Sequence, residues 1–272
     1  MAFSVNTNPG SGLAIRNLNQ TNQALNSTQN NISTGKKVSS AKDNAAIFNI
    51  AQGLIGDVGG LKAVTSSLDR AISTTDVALA GGQEVSDLLI TLKEKAVAAS
   101  DPGLDDASRQ ALNEEFISIR DSIDDIVSGA SFNGTNALAG DGVSAIANAD
   151  GSETVSVAAQ DLSLGGSTVT VSSATDLSSQ ANAKAAVAAV ETSLHNVGSS
   201  LSQLGSGASN LEAQRTFTSK LSDAIEVGVG NLVDADLGRE SASLAANQVK
   251  QQLGLQALSI SNKSASSVLS LF

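Results

Sequence analysis

The stretch Ala14-Ile-Arg-Asn-Leu18-Asn-Gln-Thr21-Asn-Gln-Ala-Leu25-Asn-Ser-Thr28-Gln-Asn-Asn-Ile32 places apolar or small side chains four and three residues apart in strict alternation. That is the seam spacing of a coiled coil, and it predicts a helix over about 12–34, stopped at Gly35. Asp43 or Ser40 can cap the next helix, in which Ile47, Leu54, Leu61 and Leu68 recur every seven residues beside Val58, Thr65, Ile72 and Leu79. This is one long helix, or two broken near Gly59-Gly60 or Gly81-Gly82, ending at the turn Asp101-Pro102-Gly103. A third helix carries Leu112, Phe116, Ile119, Ile123 and Ile126.

The C-terminal half repeats the pattern. Val187, Val190, Leu194, Val197, Leu201, Leu204, Ala208 and Leu211 predict a helix over about 178–230, and a last one runs from Asp236 through Val249, Leu253, Leu258 and Ile260. Only residues 133–176 depart from helical spacing. There, Gly-rich turns separate Thr154-Val-Ser-Val157 from Thr168-Val-Thr-Val171, which read as hairpin strands. The fold class is therefore mainly α: a long antiparallel coiled-coil helical bundle in which the N- and C-terminal halves pair to bury their stripes, with a small β-hairpin region in the middle.

Composition excludes much else. The 272 residues include no Cys, Trp or Tyr, one His, and six Phe scattered singly. There is no disulfide, no thiolate metal cluster, no cysteine nucleophile and no aromatic platform for stacked bases. With 27 acids against 16 bases the net charge of −11 repels a phosphate backbone, so no nucleic-acid partner is expected. No apolar run approaches the ~18 residues of a membrane helix, and the start shows neither a basic n-region nor an apolar h-region.

The charge is unevenly placed. No acid precedes Asp43 and none follows Glu240, so residues 1–42 and 241–272 together carry +6, while 43–240 hold 10 bases and all 27 acids, or −17. Between Arg120 and Lys184 there is no base. Weakly charged ends with regular Leu and Ile can be buried against other chains without stranding ions.

Chemical motifs do not emerge. His195 has no second His or Cys for a zinc set. Glu114-Glu115 and Asp124-Asp125 are helix neighbours that point about 100 degrees apart, unsuited to paired acid–base work. Leu204-Gly-Ser-Gly207 lacks phosphate-loop spacing. The N-x-[ST] matches, such as Asn133-Gly-Thr135, are what an Asn-rich chain produces by chance. No catalytic residue, cofactor site or metal site is expected.

Four stretches carry a family resemblance: Asn31-Ile-Ser-Thr-Gly-Lys-Lys-Val-Ser-Ser-Ala-Lys-Asp-Asn-Ala-Ala46; Asp69-Arg-Ala-Ile-Ser-Thr-Thr-Asp-Val-Ala-Leu79; Phe132-Asn-Gly134; and Asp234-Ala-Asp236 with Gln251-Gln252 and Val268-Leu-Ser-Leu271. Jointly they resemble bacterial flagellin over nearly the whole chain, and the short Cys-free form is similar to the compact flagellins of alphaproteobacteria. The resemblance implies a structural subunit, not an enzyme, that self-assembles into the flagellar filament, the helical propeller for swimming. The alternative is a hook-filament junction protein with similar ends.

It further implies an extracellular location in the filament, export through the flagellar secretion apparatus without a cleaved signal peptide, a homopolymer with other flagellin subunits, and encounters with export chaperone, cap and hook-junction proteins. Terminal helices in the family order on polymerisation. The implied domains are 1–43 with 236–272 as the terminal coiled-coil filament core, 44–132 with 177–235 as a helical rod, and 133–176 as a short β-rich variable region exposed on the filament, with Ser and Thr at 152–179 open to O-glycans. The self-assembly core is expected at Leu18, Leu25, Ile32, Val249, Leu253, Leu258 and Leu269. In many flagellins a vertebrate Toll-like receptor reads an Arg, a Leu and a Gln, which are Thr91, Lys95 and Ala98 here, while a matching carboxylate survives as Glu115; weak or absent receptor activation is expected.

Overall fold

A computed structural model describes residues 8–269, with side chains described through residue 263. Five helices and one hairpin follow in the order α1 (Pro9–Thr34), α2 (Ala45–Ala99), α3 (Asp106–Gly129), β1 (Val143–Ile146), β2 (Thr154–Val157), α4 (Gln180–Val233) and α5 (Leu237–Leu269). The mainly helical architecture read from periodicity is the one observed.

The helix ends follow capping chemistry. Asn8 accepts a bond from the Ser11 amide (3.1 Å) ahead of Pro9, and Gly35 closes α1 in the left-handed region at φ 69°. The carboxamide of Asn44 caps α2, accepting from the amides of Ala46 and Ile47 at 3.1 Å. Asp43, a candidate for that role, instead ties the preceding loop by accepting from the amides and hydroxyls of Ser39 and Ser40 (2.9–3.1 Å). Those bonds, Ser39's hydroxyl first, hold its carboxyl below the ordinary value. Asp105 caps α3 through the Ser108 amide, and Asp236 caps α5 through the amides of Gly238 and Arg239.

The chain divides into two compact units, residues 57–223 and residues 1–56 with 224–272. The first has a continuous core. Leu68, Val85, Leu89 and Leu92 from α2 meet Phe116 and Ile123 from α3 and Val190, Val197, Leu204 and Leu211 from α4, all fully buried. The connecting segment adds Leu138, Leu162, Val169 and Val171 to that same core.

α2 runs unbroken through both glycine pairs because the glycines admit neighbours. A Cβ on Gly60 would stand 2.5 Å from the Ala149 carbonyl oxygen, and one on Gly82 2.7 Å from a Leu201 methyl. Their low helix propensity is accepted in exchange for close packing.

The hairpin differs from expectation in its partner. Thr154–Val157 is a strand, but it pairs antiparallel with Val143–Ile146, Val143 opposite Val157. Thr168–Val171 is no strand. The Thr170 amide bonds to Ser193 Oγ (2.9 Å) and its hydroxyl to the Ala189 carbonyl (2.9 Å), so this segment hydrogen-bonds to α4 while Val169 and Val171 enter the core. The Asn133-Gly134 turn has both residues at positive φ (51° and 81°), with Phe132 and Thr135 exchanging backbone bonds across it, as a tight two-residue turn requires.

Candidate self-assembly surface on the terminal helices

Within the unit formed by residues 1–56 and 224–272, α1 and α5 pack antiparallel. The seam face of α1 follows the periodicity: Leu25 and Thr28 are buried, and Ala14, Leu18, Thr21 and Ile32 are half-buried. Where α1 ends and α5 begins, the Lys37 amide bonds to the Val233 carbonyl (2.8 Å) and the Ala235 amide to the Gly35 carbonyl (2.9 Å). Val38, Ala51, Val229 and Val233 form a small buried cluster there, with Ile47, Phe48 and Leu54 against it.

Along the rest of the pair the seam mixes apolar side chains, Leu18, Leu25, Ile32, Leu244 and Leu258, with hydrogen-bonded polar pairs. Asn8, besides capping its own helix, donates to the Ser261 carbonyl (2.9 Å). Ser11 donates to Asn262 (3.1 Å), Gln251 to Asn22 (2.7 Å), and Asn31 to the Glu240 carboxylate (3.1 Å). Sequence reasoning names Asn31 and Gln251 only within the stretches that carry the family resemblance, not as partners across a seam. The available signal is a polar member, Gln251, standing between Leu244 and Leu258 at sevenfold spacing.

Other apolar side chains of the two helices face outward. Leu13 and Ile15 on α1 are 54% and 45% exposed; Val249, Leu253, Leu255 and Ile260 on α5 are 54–69% exposed. Of the expected core positions, Leu18, Leu25, Ile32 and Leu258 lie on the α1–α5 seam, whereas Val249 and Leu253 point away from it. Leu269 ends α5, and its side chain lies outside the described residues. Periodicity groups Val249 and Leu253 with Leu258. On α5 apolar residues occur on every side, so spacing alone does not separate an inner from an outer face.

The positions expected from the resemblance to match a receptor site lie on the unit formed by residues 57–223. Thr91 donates to the Asp87 carbonyl of its own helix (3.1 Å), Ala98 is exposed, and Lys95 pairs with Glu115 across α2 and α3. His195 is exposed on α4, and among the described residues no group of His, Asp or Glu side chains is arranged to hold a metal ion. No helix among them is long and apolar enough to cross a membrane.

The α1–α5 pair thus leaves large apolar side chains exposed on its outer faces. Comparison with known proteins shows the family. The family described as the bacterial flagellin N-terminal helical region matches residues 5–142, and the bacterial flagellin C-terminal helical region matches residues 187–272. Flagellin FljM of Caulobacter vibrioides is 47% identical over 271 residues, covering 99% of this chain and 98% of its own. Two solved structures share the fold: Bacillus cereus flagellin (TM-score 0.50, 20% identity, 56% of this chain and 88% of that one) and a candidate flagellar hook-associated protein from Vibrio parahaemolyticus (TM-score 0.59, 15% identity, 71% and 100%).

The chain belongs to the bacterial flagellin family, with relatives among the alphaproteobacteria. It is a structural subunit of the flagellar filament, extracellular, and polymerises with other flagellin subunits.

Proposed function

We propose that the outward apolar faces of α1 and α5 are the surface through which subunits join, with Leu13, Ile15, Val249, Leu253, Leu255 and Ile260 buried against neighbouring copies, and Leu18, Leu25, Ile32 and Leu258 closing the pair within each copy. The observation that carries this reading is their exposure, 45–69%, on the faces of α1 and α5 turned away from the shared seam. Burying a fully exposed Leu, Ile or Val gains ~1.5–3 kcal/mol, so each of these half-exposed chains has ~1 kcal/mol still to gain from a partner. Sparse charge helps, since residues 1–42 and 241–272 carry six bases and no acids.

The rest of the assignment follows family resemblance. The terminal coil is the filament core, the helical segments 44–132 and 177–235 are the rod, and the acidic, base-free segment 133–176 faces solvent on the outside. The subunit leaves through the flagellum's own channel and meets chaperone, cap and junction proteins on its route. It works by packing and does no covalent chemistry. Deleting residues 1–42 or 241–272 is expected to leave a soluble monomer that forms no filaments when seeded; normal filaments from either truncation contradict the reading.

A further inference from the structure

Among the described residues, these cross-seam pairs keep a narrow range of antiparallel offset. Asn8 with Ser261, Ser11 with Asn262, Leu18 with Gly254, Asn22 with Gln251 and Asn31 with Glu240 have residue numbers that total between 269 and 273. Apolar packing alone does not select that offset, because the seam leucines of α5, Leu244 and Leu258, recur at heptad spacing, while Val249, Leu253, Leu255 and Ile260 turn away from α1.

The polar pairs do select it. Leu244, Gln251 and Leu258 recur every seven residues, all half-buried. Sliding α5 by one heptad in either direction sets Leu244 or Leu258 against Asn22. The Asn22 carboxamide, half-buried and bonded by Gln251 at 2.7 Å, would then lose its partner. The same slide brings Asn247 or Ser261 to the place of Gly254, where the absence of a side chain lets Leu18 approach: a Cβ placed there stands 3.3 Å from Leu18 Cδ1.

We propose that Asn22 and Gln251 are the register-determining residues of the terminal coil. They give up some stability to forbid the neighbouring registers, as a lone polar pair does in a coiled-coil seam. Taken with the assembly reading above, on which this consequence rests, one register makes all copies alike, which a helical lattice of head-to-tail contacts requires.

The native chain contains no Cys, so engineered pairs report cleanly. The in-register reporter is Leu18→Cys with Gly254→Cys, whose Cβ atoms lie 3.9 Å apart, within the ~3.5–4.5 Å of a disulfide. The slipped reporter is Leu18→Cys with Ser261→Cys. Each is placed in the full-length chain, otherwise native or carrying Asn22→Leu and Gln251→Leu, and oxidised mildly before and after seeding. The native background is expected to favour the in-register cross-link by about tenfold, the factor that an unpaired half-buried amide imposes. The leucine background is expected to bring the two within about threefold, and the exchanged pair Asn22→Gln with Gln251→Asn to restore the preference. Equal cross-linking in the native background, or a preference undiminished by the leucines, overturns the proposal. Failure of the unsubstituted chain to form filaments on seeding would contradict the assembly reading instead, while the soluble chain still reports register.

Discussion

The unit of residues 57–223 and the unit of residues 1–56 with 224–272 are built from the same kind of helix, yet they use their apolar residues in opposite ways. The first holds 22 acids and 9 bases, net −13, and buries Leu68, Leu89, Phe116, Leu204 and Leu211 completely. The second holds 5 acids and 7 bases, net +2, and although it is the smaller it displays ten of the fifteen exposed large apolar side chains among the described residues. One unit closes its core within the chain and repels copies of itself through its charge. The other leaves apolar surface open and carries little charge to keep a partner away. On the reading proposed above, burial and charge separate a unit finished on folding from one finished on assembly.

The contrast predicts unequal responses to core truncation. Phe116→Ala is expected to cost the soluble chain ~3–5 kcal/mol, read as a lowered denaturation midpoint. Leu25→Ala, in the open unit, should cost less than half as much in the soluble chain and more in the filament, where its seam is covered. Equal losses in solution would erase the distinction. Gly60→Ala comes next. Its Cβ would meet the Ala149 backbone oxygen at 2.5 Å, so the hairpin end or α2 must move, at a cost of ~1–3 kcal/mol in melting experiments. An unchanged midpoint would show that this contact is not tight.

The smallest effects concern caps. Asp105→Ala should lower the midpoint by less than Gly60→Ala does, through the lost bond to the Ser108 amide. Asp43, Asp105, Asp150 and Asp176 all have carboxyls held below the ordinary 3.8 by hydrogen bonds: Asp43 chiefly from the Ser39 hydroxyl, Asp105 and Asp150 from the backbone amides of Ser108 and Ser152, and Asp176 from the Ser178 hydroxyl. A depressed folded value means the contribution is present above 3.8 and is lost as pH falls through the lower folded value. Circular dichroism during acid titration should show stability from these groups retained to pH 3.8 and declining below it, with Asp105→Asn removing its share. A decline centred above about pH 5 would contradict the assigned bonds.

Much of the fold was legible because helices leave a period in the sequence. All six positions from Ala14 to Ile32 fall on the α5-facing side of α1, and Phe116, Ile123, Val190, Val197, Leu204 and Leu211 are fully buried, as their spacing requires. What was not legible depends on long-range partners. Thr154–Val157 read as a strand, but its mate Val143–Ile146 was not distinguished from Thr168–Val171, since alternation shows a pleated segment and not what it pairs with. Whether α2 breaks near Gly59-Gly60 or Gly81-Gly82 stayed open in the sequence, because helix propensity carries no knowledge of Ala149 or Leu201. On the candidate surface, spacing identified apolar residues of α5 but not their direction. The polar seam pairs of Asn22, Asn31, Glu240 and Gln251 passed as ordinary surface, because only packing shows which polar residues stand opposite one another.

The central claim is that the exposed apolar face of α5 joins subunits and does little for the isolated chain. Val249→Asp with Leu253→Asp tests it most directly, with the melting midpoint of the soluble protein and the critical concentration for seeded polymerisation measured on the same preparation. The account predicts a midpoint unchanged to within ~0.5 kcal/mol, as for surface substitutions. It also predicts a critical concentration raised at least about tenfold, since two apolar contacts of ~1 kcal/mol each are replaced by buried charge. Filaments at the unsubstituted critical concentration, or a collapse in monomer stability large enough to explain their loss, would contradict it.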